Sequence, residues 1–330
     1  MSRVLVTGGT GFIGSQLALR CRAEGEEVRV LSPCRTPGEE LRARDLRAAG
    51  VEIVDASVTD AAAVRRACGG VNTLYHLAAA QHEANVPDDY FHQVNVDGTR
   101  TVLRAAADAG VPRVVHGSTI GVYGVGGEDP VTDDSPLEPD NIYGITKLAG
   151  ERVAQQMAAD IPVVIVRISE TYGPSDGRLL KLFRAIATRR FVMIGPGRNL
   201  HHPVYVDDLV EGLRQAAAAG GAVGHVMVLA GPDAITTDEM VAAIARAVGR
   251  RSPRLRIPLL PVMAAAAVLE TTLRPLGIQP PLHRRRMNFF VKGFRFTGRD
   301  ARELIGYRPN VSFAEGAART AAWYRGQGLL

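Results

Sequence analysis

The sequence contains little cysteine and no closely spaced cysteine pair. Its three cysteines are Cys21, Cys34 and Cys68, and no CxxC spacing occurs in the 330 residues. Scattered thiols exclude a disulfide framework and a metal site of the usual cysteine spacing, and they are typical of a reducing compartment. A buried strand pattern begins as early as Val4, so we expect no signal peptide. The sequence therefore predicts a cytoplasmic protein without a bound metal.

Long apolar runs and blocks of one charge are also absent. The most apolar stretch, residues 257–269, is too short to span a bilayer and contains Pro258 and Pro261. We expect no stable membrane insertion and interpret residues 263–273 as a buried or pocket-lining helix, with contact to a membrane surface as the alternative. The net charge is +5 and aromatic residues make up 5%. Without a basic tail or a basic patch with stacking aromatics, we expect no nucleic-acid partner.

The first fifteen residues carry the clearest motif of the chain. An apolar β-branched run, residues 4–6, is followed by glycines at positions 8, 11 and 14 and then by a helical pattern. A strand that passes through such a turn into a helix is the context of a dinucleotide fingerprint. Gly8 permits the tight turn, Gly11 lets the backbone approach a pyrophosphate, and Gly14 lets helix and strand pack closely. The positive helix end then faces the phosphates.

Strand and helix patterns alternate along the rest of the chain. Apolar strands are predicted at residues 27–31, 51–54, 71–77, 111–116, 162–166 and 226–230. This alternation predicts an α/β fold with a doubly wound parallel sheet and a smaller C-terminal substrate-binding portion. We place the dinucleotide-binding domain at residues 1–175, with 204–232 returning to it. Residues 176–203 and 233–330 then form the substrate-binding portion.

Tyr143 and Lys147 lie four residues apart at the start of a predicted helix and so share one face. A phenol with a pKa near 10 is a poor base at neutral pH. A lysine one turn away, together with an oxidised nicotinamide, favours the phenolate. Tyr143 is therefore predicted to remove the proton of a secondary alcohol as hydride leaves for the cofactor, or to donate it in the reverse reaction.

Several strings together resemble the extended short-chain dehydrogenase/reductase family. The opening TGGTGFIG, the YxxxK spacing, and Ser118-Thr119 before Val122-Tyr123-Gly124 match its motifs, and the segment from Asn95 is similar to its NVxGTxN string. The resemblance implies a Rossmann fold, NAD(P) as cofactor and a homodimer through the helices that begin near Asn95 and Tyr143. It places Thr119 as the hydroxyl that holds the reacting oxygen. Asn95 falls on a proton-relay asparagine, although an N-cap role explains it equally well.

The same resemblance defines the predicted cofactor contacts and leaves NAD versus NADP open. Relatives that bind NAD carry an acid after the second strand, where this chain has Arg35, and Ser57 replaces a second acid that contacts adenine. Arg35 would suit a 2′-phosphate, or it is a solvated loop residue. The predicted cofactor-binding residues are Gly8, Gly11, Phe12, Ile13, Gly14, Arg35, Ser57, Val58, Leu77, Ala78, Ala79, Asn95, Ser118, Tyr143 and Lys147.

The substrate is predicted only by class. Ser118, Thr119, Glu170 and His201 are the expected contacts, with Glu170 at a position where relatives have an asparagine. The order GPGRNL and the segment Pro280-Pro281-Leu282 resemble the 3β-hydroxysteroid dehydrogenase subgroup and favour an alicyclic alcohol. Arg284-Arg285-Arg286, near a phosphate-binding arginine of the nucleotide-sugar enzymes, keeps a 4-epimerase or dehydratase with tightly bound NAD as an alternative.

A dinucleotide-binding regulator without activity is a further alternative, because a fold does not determine a function. The presence of Thr119, Tyr143 and Lys147 together argues against it. The tail from Phe296 to Pro309 and the Asp207-Asp208 pair also match family segments, and we interpret the aspartates as a structural N-cap.

Overall fold

A computed structural model describes residues 2–81, 86–124, 130–273 and 284–330, with the side chains of Glu270, Leu273, Arg284, Arg285, Arg286 and Asn288 left outside the description. The strands are β1 Arg3–Thr7, β2 Glu27–Leu31, β3 Glu52–Val54, β4 Thr73–His76, β5 Val114–Thr119, β6 Val163–Ile168, β7 Thr171–Tyr172, β8 Met193–Ile194, β9 Leu200–His201, β10 Val204–Tyr205, β11 Val226–Leu229, β12 Ile235–Thr236 and β13 Arg256–Ile257. The helices are α1 Phe12–Ala23, α2 Pro37–Ala48, α3 Ala61–Cys68, α4 Asp88–His92, α5 Gly98–Asp108, α6 Ile142–Gln156, α7 Leu180–Ala187, α8 Val206–Ala218, α9 Thr237–Ala247, α10 Leu259–Leu273, α11 Arg284–Val291, α12 Arg299–Ile305 and α13 Phe313–Gly326.

Seven parallel strands form the main sheet, in the order β11-β6-β5-β4-β1-β2-β3. The side chains of strand β1 show why helices cover both faces of the main sheet. Val4 and Val6 pack into one hydrophobic cluster with α1, α2 and α8, while Leu5 between them packs into a second cluster with α3, α5 and α6. Because side chains alternate along a strand, an unbroken apolar run needs a helical layer on each side. The predicted doubly wound fold is confirmed.

The turn between β1 and α1 depends on two glycines. Gly8 adopts φ of +70°, and a Cβ added there would lie 2.7 Å from the backbone of Ala78. A Cβ on Gly14 would lie 2.4 Å from the Gly8 carbonyl oxygen. The backbone conformation and the close approach of helix to strand therefore both exclude larger residues at these positions.

A single π-helical turn, Gln93–Asp97, joins α4 to α5. It contains Asn95, which is buried inside a continuous helical path and so does not begin a helix. The N-cap interpretation of Asn95 is therefore wrong.

The N-cap interpretation of the Asp207-Asp208 pair is wrong too. Tyr205 occupies the N-cap of α8, and the Asp208 carboxylate instead accepts hydrogen bonds from the backbone of Asn310 and Val311 at 3.1 and 2.9 Å.

The C-terminal part has its own hydrophobic core between α7, α9 and α13, with Phe183, Ile244 and Tyr324 at its centre. Helix α10 lies outside that core. Of its side chains that the structure describes, only Ala266 is buried, and Leu260 is 82% exposed. The expectation that residues 263–273 form a buried or pocket-lining helix is therefore wrong. No helix in the described ranges has the length and apolar character needed to cross a bilayer.

Candidate active site

A cavity of about 810 Å³ opens at the carboxyl ends of the central strands β1, β2, β4, β5 and β6. In an open parallel sheet, ligands bind at this edge, where the strand order reverses. The cavity brings together most of the residues predicted from the sequence. Those that line it are Gly8, Gly11, Phe12, Ile13, Gly14, Arg35, Ser57, Val58, Leu77, Ala78, Ala79, Ser118, Thr119, Tyr143 and Lys147.

One end of the cavity has the features needed to hold a dinucleotide pyrophosphate. The N-terminus of α1 begins there after Gly11, and the first turn of the helix contains no acidic residue. The first backbone N–H groups of a helix have no partner within the helix and point along its axis, toward a bound anion. A Cβ on Gly11 would meet only the Gly8 carbonyl oxygen, at 3.0 Å, so this position leaves room for a ligand next to the backbone. The residues present therefore fit the cofactor.

Beyond the glycine-rich turn the cavity is lined by arginine and hydroxyl groups. Arg35 donates a hydrogen bond to the Tyr90 hydroxyl at 2.6 Å and lies over the ring of Tyr90, 5.8 Å from its centroid. Arg42 donates to the Thr10 carbonyl at 2.6 Å. Glu39 also lines this end, but its Oε2 accepts hydrogen bonds from the backbone of Arg35 and Thr36 in the cap of α2. This end is therefore electropositive.

The opposite end contains Thr119, Tyr143 and Lys147. Helix α6 begins after the N-cap Asn141, whose side chain accepts a hydrogen bond from the Gly144 amide, so Tyr143 lies in its first turn. Thr119 ends β5 and accepts a hydrogen bond from the Gly121 amide at 3.1 Å. The geometry thus brings a phenol and a hydroxyl from two different elements to one place, where a single reacting oxygen can contact both.

Burial changes the acid–base behaviour of both titratable groups. It raises the pKa of Tyr143, while the hydrogen bond from Thr119 and the charge of Arg178 lower it. Burial lowers the pKa of Lys147 to about 8, although the Glu151 carboxylate opposes this change. The Lys147 ammonium donates to the Gly117 carbonyl at 2.5 Å. A phenolate at Tyr143 therefore needs further positive charge, and an oxidised nicotinamide supplies it when bound.

A buried ion pair lies directly behind these groups. Glu151 is one turn beyond Lys147 on α6, and its Oε2 accepts a hydrogen bond from the Ser118 hydroxyl at 2.6 Å. Arg167 on β6, which is paired in register with Ser118, donates to Glu151 Oε1 at 2.6 Å. The side chains of Arg167 and Glu151 are 4% and 0% exposed. Sequence reasoning missed Glu151, although its position four residues after Lys147 could have suggested it.

Three predicted residues lie outside the cavity lining. Asn95 is buried behind it, where it bonds both the amide and the carbonyl of Ala80 and donates to the Thr146 hydroxyl at 3.0 Å. Glu170 and His201 pair with each other instead, with 3.0 Å between Oε2 and Nδ1. Their proposed contacts with substrate stay a prediction. The segments 280–282 and 284–286 lie outside the described residues or side chains, so their predicted roles are untested.

The sequence did not reveal the residues that form the rim of the cavity next to Tyr143. Ser169, directly after β6, and Thr171 in β7 contribute to it, as does the loop of residues 175–178. Within this loop the Asp176 side chain is 1% exposed, and Arg178 donates to the Thr171 carbonyl at 2.7 Å. The Tyr324 hydroxyl donates to the Asp176 carbonyl at 2.5 Å and holds the loop against α13. The loop follows the Tyr172-Gly173-Pro174 motif directly, and that position was its only signal.

No group of His, Cys, Asp and Glu side chains suited to a metal ion occurs among the residues that the structure describes.

Comparison with known proteins gives a family match. The model of the NAD dependent epimerase/dehydratase family matches residues 4–230. A 4-hydroxy-2-methyl-3-oxo-4-farnesyl-3,4-dihydroquinoline-1-oxide ketoreductase from Stigmatella aurantiaca is 31% identical over 99% of this chain and 98% of its own. A UDP-glucose 4-epimerase from Mycolicibacterium smegmatis is 29% identical over 98% of each chain.

A solved structure extends this similarity to three dimensions. A dTDP-glucose 4,6-dehydratase from Streptomyces venezuelae, solved with NAD bound, superimposes with a TM-score of 0.80. It is 30% identical, and the match covers 98% of this chain and 97% of the dehydratase. The similarity therefore includes the C-terminal part as well as the main sheet.

Proposed function

The chain belongs to the NAD-dependent epimerase/dehydratase family of the extended short-chain dehydrogenases/reductases, and on that premise we propose that it transfers a hydride between the nicotinamide of NAD(P) and the carbon of a secondary alcohol or ketone. The observation that carries the proposal is the meeting of Thr119, Tyr143 and Lys147 at one end of a cavity whose other end is the glycine-rich turn. The groups proposed for proton transfer and the turn proposed to hold the cofactor therefore line the same cavity.

In this proposal each group has a distinct role. Tyr143 accepts the hydroxyl proton of the alcohol or returns it to the ketone, and Thr119 holds the reacting oxygen beside the phenol. Lys147, fixed by the Gly117 carbonyl, supplies positive charge near the cofactor. The bound cofactor supplies the hydride acceptor or donor. General acid–base catalysis of this kind contributes about 10²–10⁴-fold in rate.

For the substrate we favour a lipophilic alicyclic alcohol or ketone. By resemblance, the segment that holds His201 and His202 here carries, in the nucleotide-sugar enzymes, an arginine that grips the diphosphate. Here His201 is buried and pairs with the Glu170 carboxylate and, at 3.1 Å, with the Thr237 hydroxyl. The negative charge of Glu170 would repel a diphosphate placed at this point. The ketoreductase from Stigmatella aurantiaca, whose named substrate is a farnesylated ring ketone, agrees with this choice.

A nucleotide-sugar 4-epimerase or 4,6-dehydratase is the second candidate. Arg178 at the rim of the cavity offers a cation to a diphosphate, since its guanidinium is 48% exposed beside Asp176. The similarity to the NAD-bound dehydratase covers almost the whole chain and also supports this candidate. In such an enzyme the hydride returns to the same molecule, and no net change in the cofactor is seen.

We propose NADP as the preferred cofactor. Arg35 and Arg42 line the end of the cavity beyond the glycine-rich turn, and Ser57 lies where an acid would contact the adenosine of NAD. An arginine there accommodates a 2′-phosphate, whereas a carboxylate would bind the free ribose hydroxyl.

Three further expectations complete the proposal. Ile145, 45% exposed on α6, supports a homodimer through this helix. The three cysteines are unpaired, which supports a cytoplasmic location. The division at residue 175, with residues 204–232 returning to the first domain, stays a prediction.

A direct test uses protein stripped of nucleotide and titrated with NAD and NADP in both redox states. Hydroxysteroids, isoprenoid ring ketones, UDP-sugars and dTDP-sugars are then tested while the nicotinamide absorbance is recorded. Net NADPH formation or consumption with a lipophilic alcohol or ketone supports the proposal. Sugar interconversion without net absorbance change would decide for the epimerase. A failure to bind either dinucleotide would refute both.

A further inference from the structure

The exposed apolar side chains of this protein are concentrated in one region. Of the seven large hydrophobic residues exposed in the described part of the chain, five lie between positions 255 and 291. They are Leu255, Ile257, Leu260, Val268 and Val291. Single exposed hydrophobic residues are common on protein surfaces, but a cluster of them marks an interaction site.

Helix α10 carries two of these five residues. Leu260 is 82% and Val268 is 61% exposed, and the exposed positions between them are Pro261, Ala264 and Ala265. The helix lines neither the active-site cavity nor the smaller cavity next to Phe296 and Tyr307. Leu255 and Ile257 precede the helix directly, so the exposed apolar surface continues from β13 into α10. We call this surface the α10 face.

The segments next to the α10 face carry mainly positive charge. Residues 178–198 and 240–269 together contain eleven lysines and arginines and no aspartate or glutamate. Two of these cations, Arg178 and Arg256, pair with Asp176 and Asp238, which lie just outside the two segments. The two segments meet in space, because β13 pairs with β8 and Arg250 donates to the Ala187 carbonyl at 3.0 Å. Several of these cations are exposed, among them Arg189, Arg190, Arg251 and Arg254. The whole chain has a net charge of only +5, so this part is far more basic than the rest.

We propose that the α10 face docks on the surface of an anionic lipid bilayer. Apolar side chains on a helix of this kind enter the boundary between headgroups and acyl chains, while neighbouring arginines pair with lipid phosphates. The helix then lies along the membrane surface and does not span it. This docking is independent of the reaction assigned to the active site.

Charge favours a membrane over other occupants of the face. Two copies of the chain joined here would bring two clusters of cations together, and like charges oppose such contact. Single-stranded nucleic acid stacks its bases on aromatic side chains, whereas the exposed side chains of the face are aliphatic. A duplex would contact the arginines through its phosphates and would leave the apolar side chains in water. An anionic bilayer offers acyl chains to the apolar side chains of the face and phosphates to its arginines.

The test is flotation of the full chain with lipid vesicles. We expect co-flotation with an equimolar mixture of phosphatidylcholine and phosphatidylglycerol, and much weaker flotation with phosphatidylcholine alone. High salt should weaken the interaction, because it screens the charges. Leu260→Glu/Val268→Glu should reduce binding by about tenfold or more, since both side chains lose their burial in lipid. Arg251→Glu/Arg254→Glu should have a similar effect, because each basic residue contributes about a fivefold factor in partitioning.

Matched controls are available on α2 and α3, which pack against the main sheet. Leu41→Glu changes an exposed leucine on α2, and Arg65→Glu/Arg66→Glu reverses two exposed charges on α3. Both should float like the original protein, and circular dichroism and dinucleotide binding should be retained in all variants. Absence of flotation with the anionic vesicles would overturn the proposal, as would unchanged flotation of Leu260→Glu/Val268→Glu. A dimer in gel filtration that this double variant abolishes, without any flotation, would show a second copy as the occupant.

Discussion

Replacing Glu151 by glutamine should weaken both the fold and the charge at Lys147. The carboxylate pairs with the Arg167 guanidinium at 2.6 Å, and both side chains are almost completely buried. Glutamine has nearly the same shape but no charge, so Arg167 keeps a buried charge without a counter-ion. Removal of one partner from a buried ion pair costs about 3–5 kcal/mol in the free energy of unfolding. Because glutamine still accepts a hydrogen bond, we expect a loss of about 3 kcal/mol.

The same substitution should move the pH dependence of catalysis. Burial holds the pKa of Lys147 at about 8, and the Glu151 carboxylate is the group that opposes this lowering. Without that negative charge the pKa falls further, and the ammonium loses its proton at a lower pH. If catalysis needs the charged lysine, the alkaline limb of kcat moves to lower pH. The assay is kcat against pH with the substrate found in the panel, together with urea unfolding.

A matched surface pair provides the control. Glu315 and Arg319 on α13 form an ion pair at 2.5 Å, but their side chains are 51% and 48% exposed. Glu315→Gln should therefore cost no more than about 0.5 kcal/mol. The double variant Glu151→Gln/Arg167→Gln should recover part of the lost stability, because no unpaired charge remains buried. Equal stability of Glu151→Gln and Glu315→Gln, or an alkaline limb that stays in place, would refute the reasoning.

Three other predictions concern the cofactor and the proton. Tyr143→Phe should lower kcat by about 10²–10⁴-fold while the dinucleotide Kd stays within about twofold, measured by fluorescence titration; retained turnover would remove the phenol from the mechanism. Arg35→Ala should raise the Kd for NADPH by about tenfold, because one charge-assisted contact is lost, and should leave the Kd for NADH unchanged. The exposed Arg44→Ala is the control, and equal effects on both cofactors would contradict a 2′-phosphate contact. Gly14→Ala should abolish dinucleotide binding or destabilise the protein by about 1–3 kcal/mol, because its Cβ would lie 2.4 Å from the Gly8 carbonyl oxygen. As a control, Gly221→Ala, whose Cβ meets open space, should change neither dinucleotide binding nor stability.

The fold, and most of the residues that line the cavity, could be predicted because they depend on short-range patterns. The glycine spacing, the apolar run of β1 and the Tyr143–Lys147 spacing each lie within fifteen residues. The Arg167–Glu151 pair could not be predicted in this way, because it joins a strand to a helix and depends on the register of β5 against β6.

Helix α10 shows the opposite error. Its apolar composition predicted burial, yet composition does not determine whether another element covers a helix. The prediction for Asn95 was wrong for a different reason, since its position suggested the start of a helix. A π-helical turn instead continues the chain from α4 into α5 and turns this side chain toward Ala80 and Thr146.

The hydrogen bond from Tyr324 to the rim loop has a consequence for the order in which the active site forms during synthesis. The bond joins Asp176 to Tyr324, 148 positions further along the chain, so it cannot form until α13 has left the ribosome. The glycine-rich turn, Thr119, Tyr143 and Lys147 leave the ribosome far earlier, and domains fold N-terminal first. A nascent chain can therefore complete the main sheet, as far as β11, before Tyr324 holds the rim loop. A chain that stops before α13 would keep every group at the cofactor end and lack the tyrosine that holds Asp176 in place.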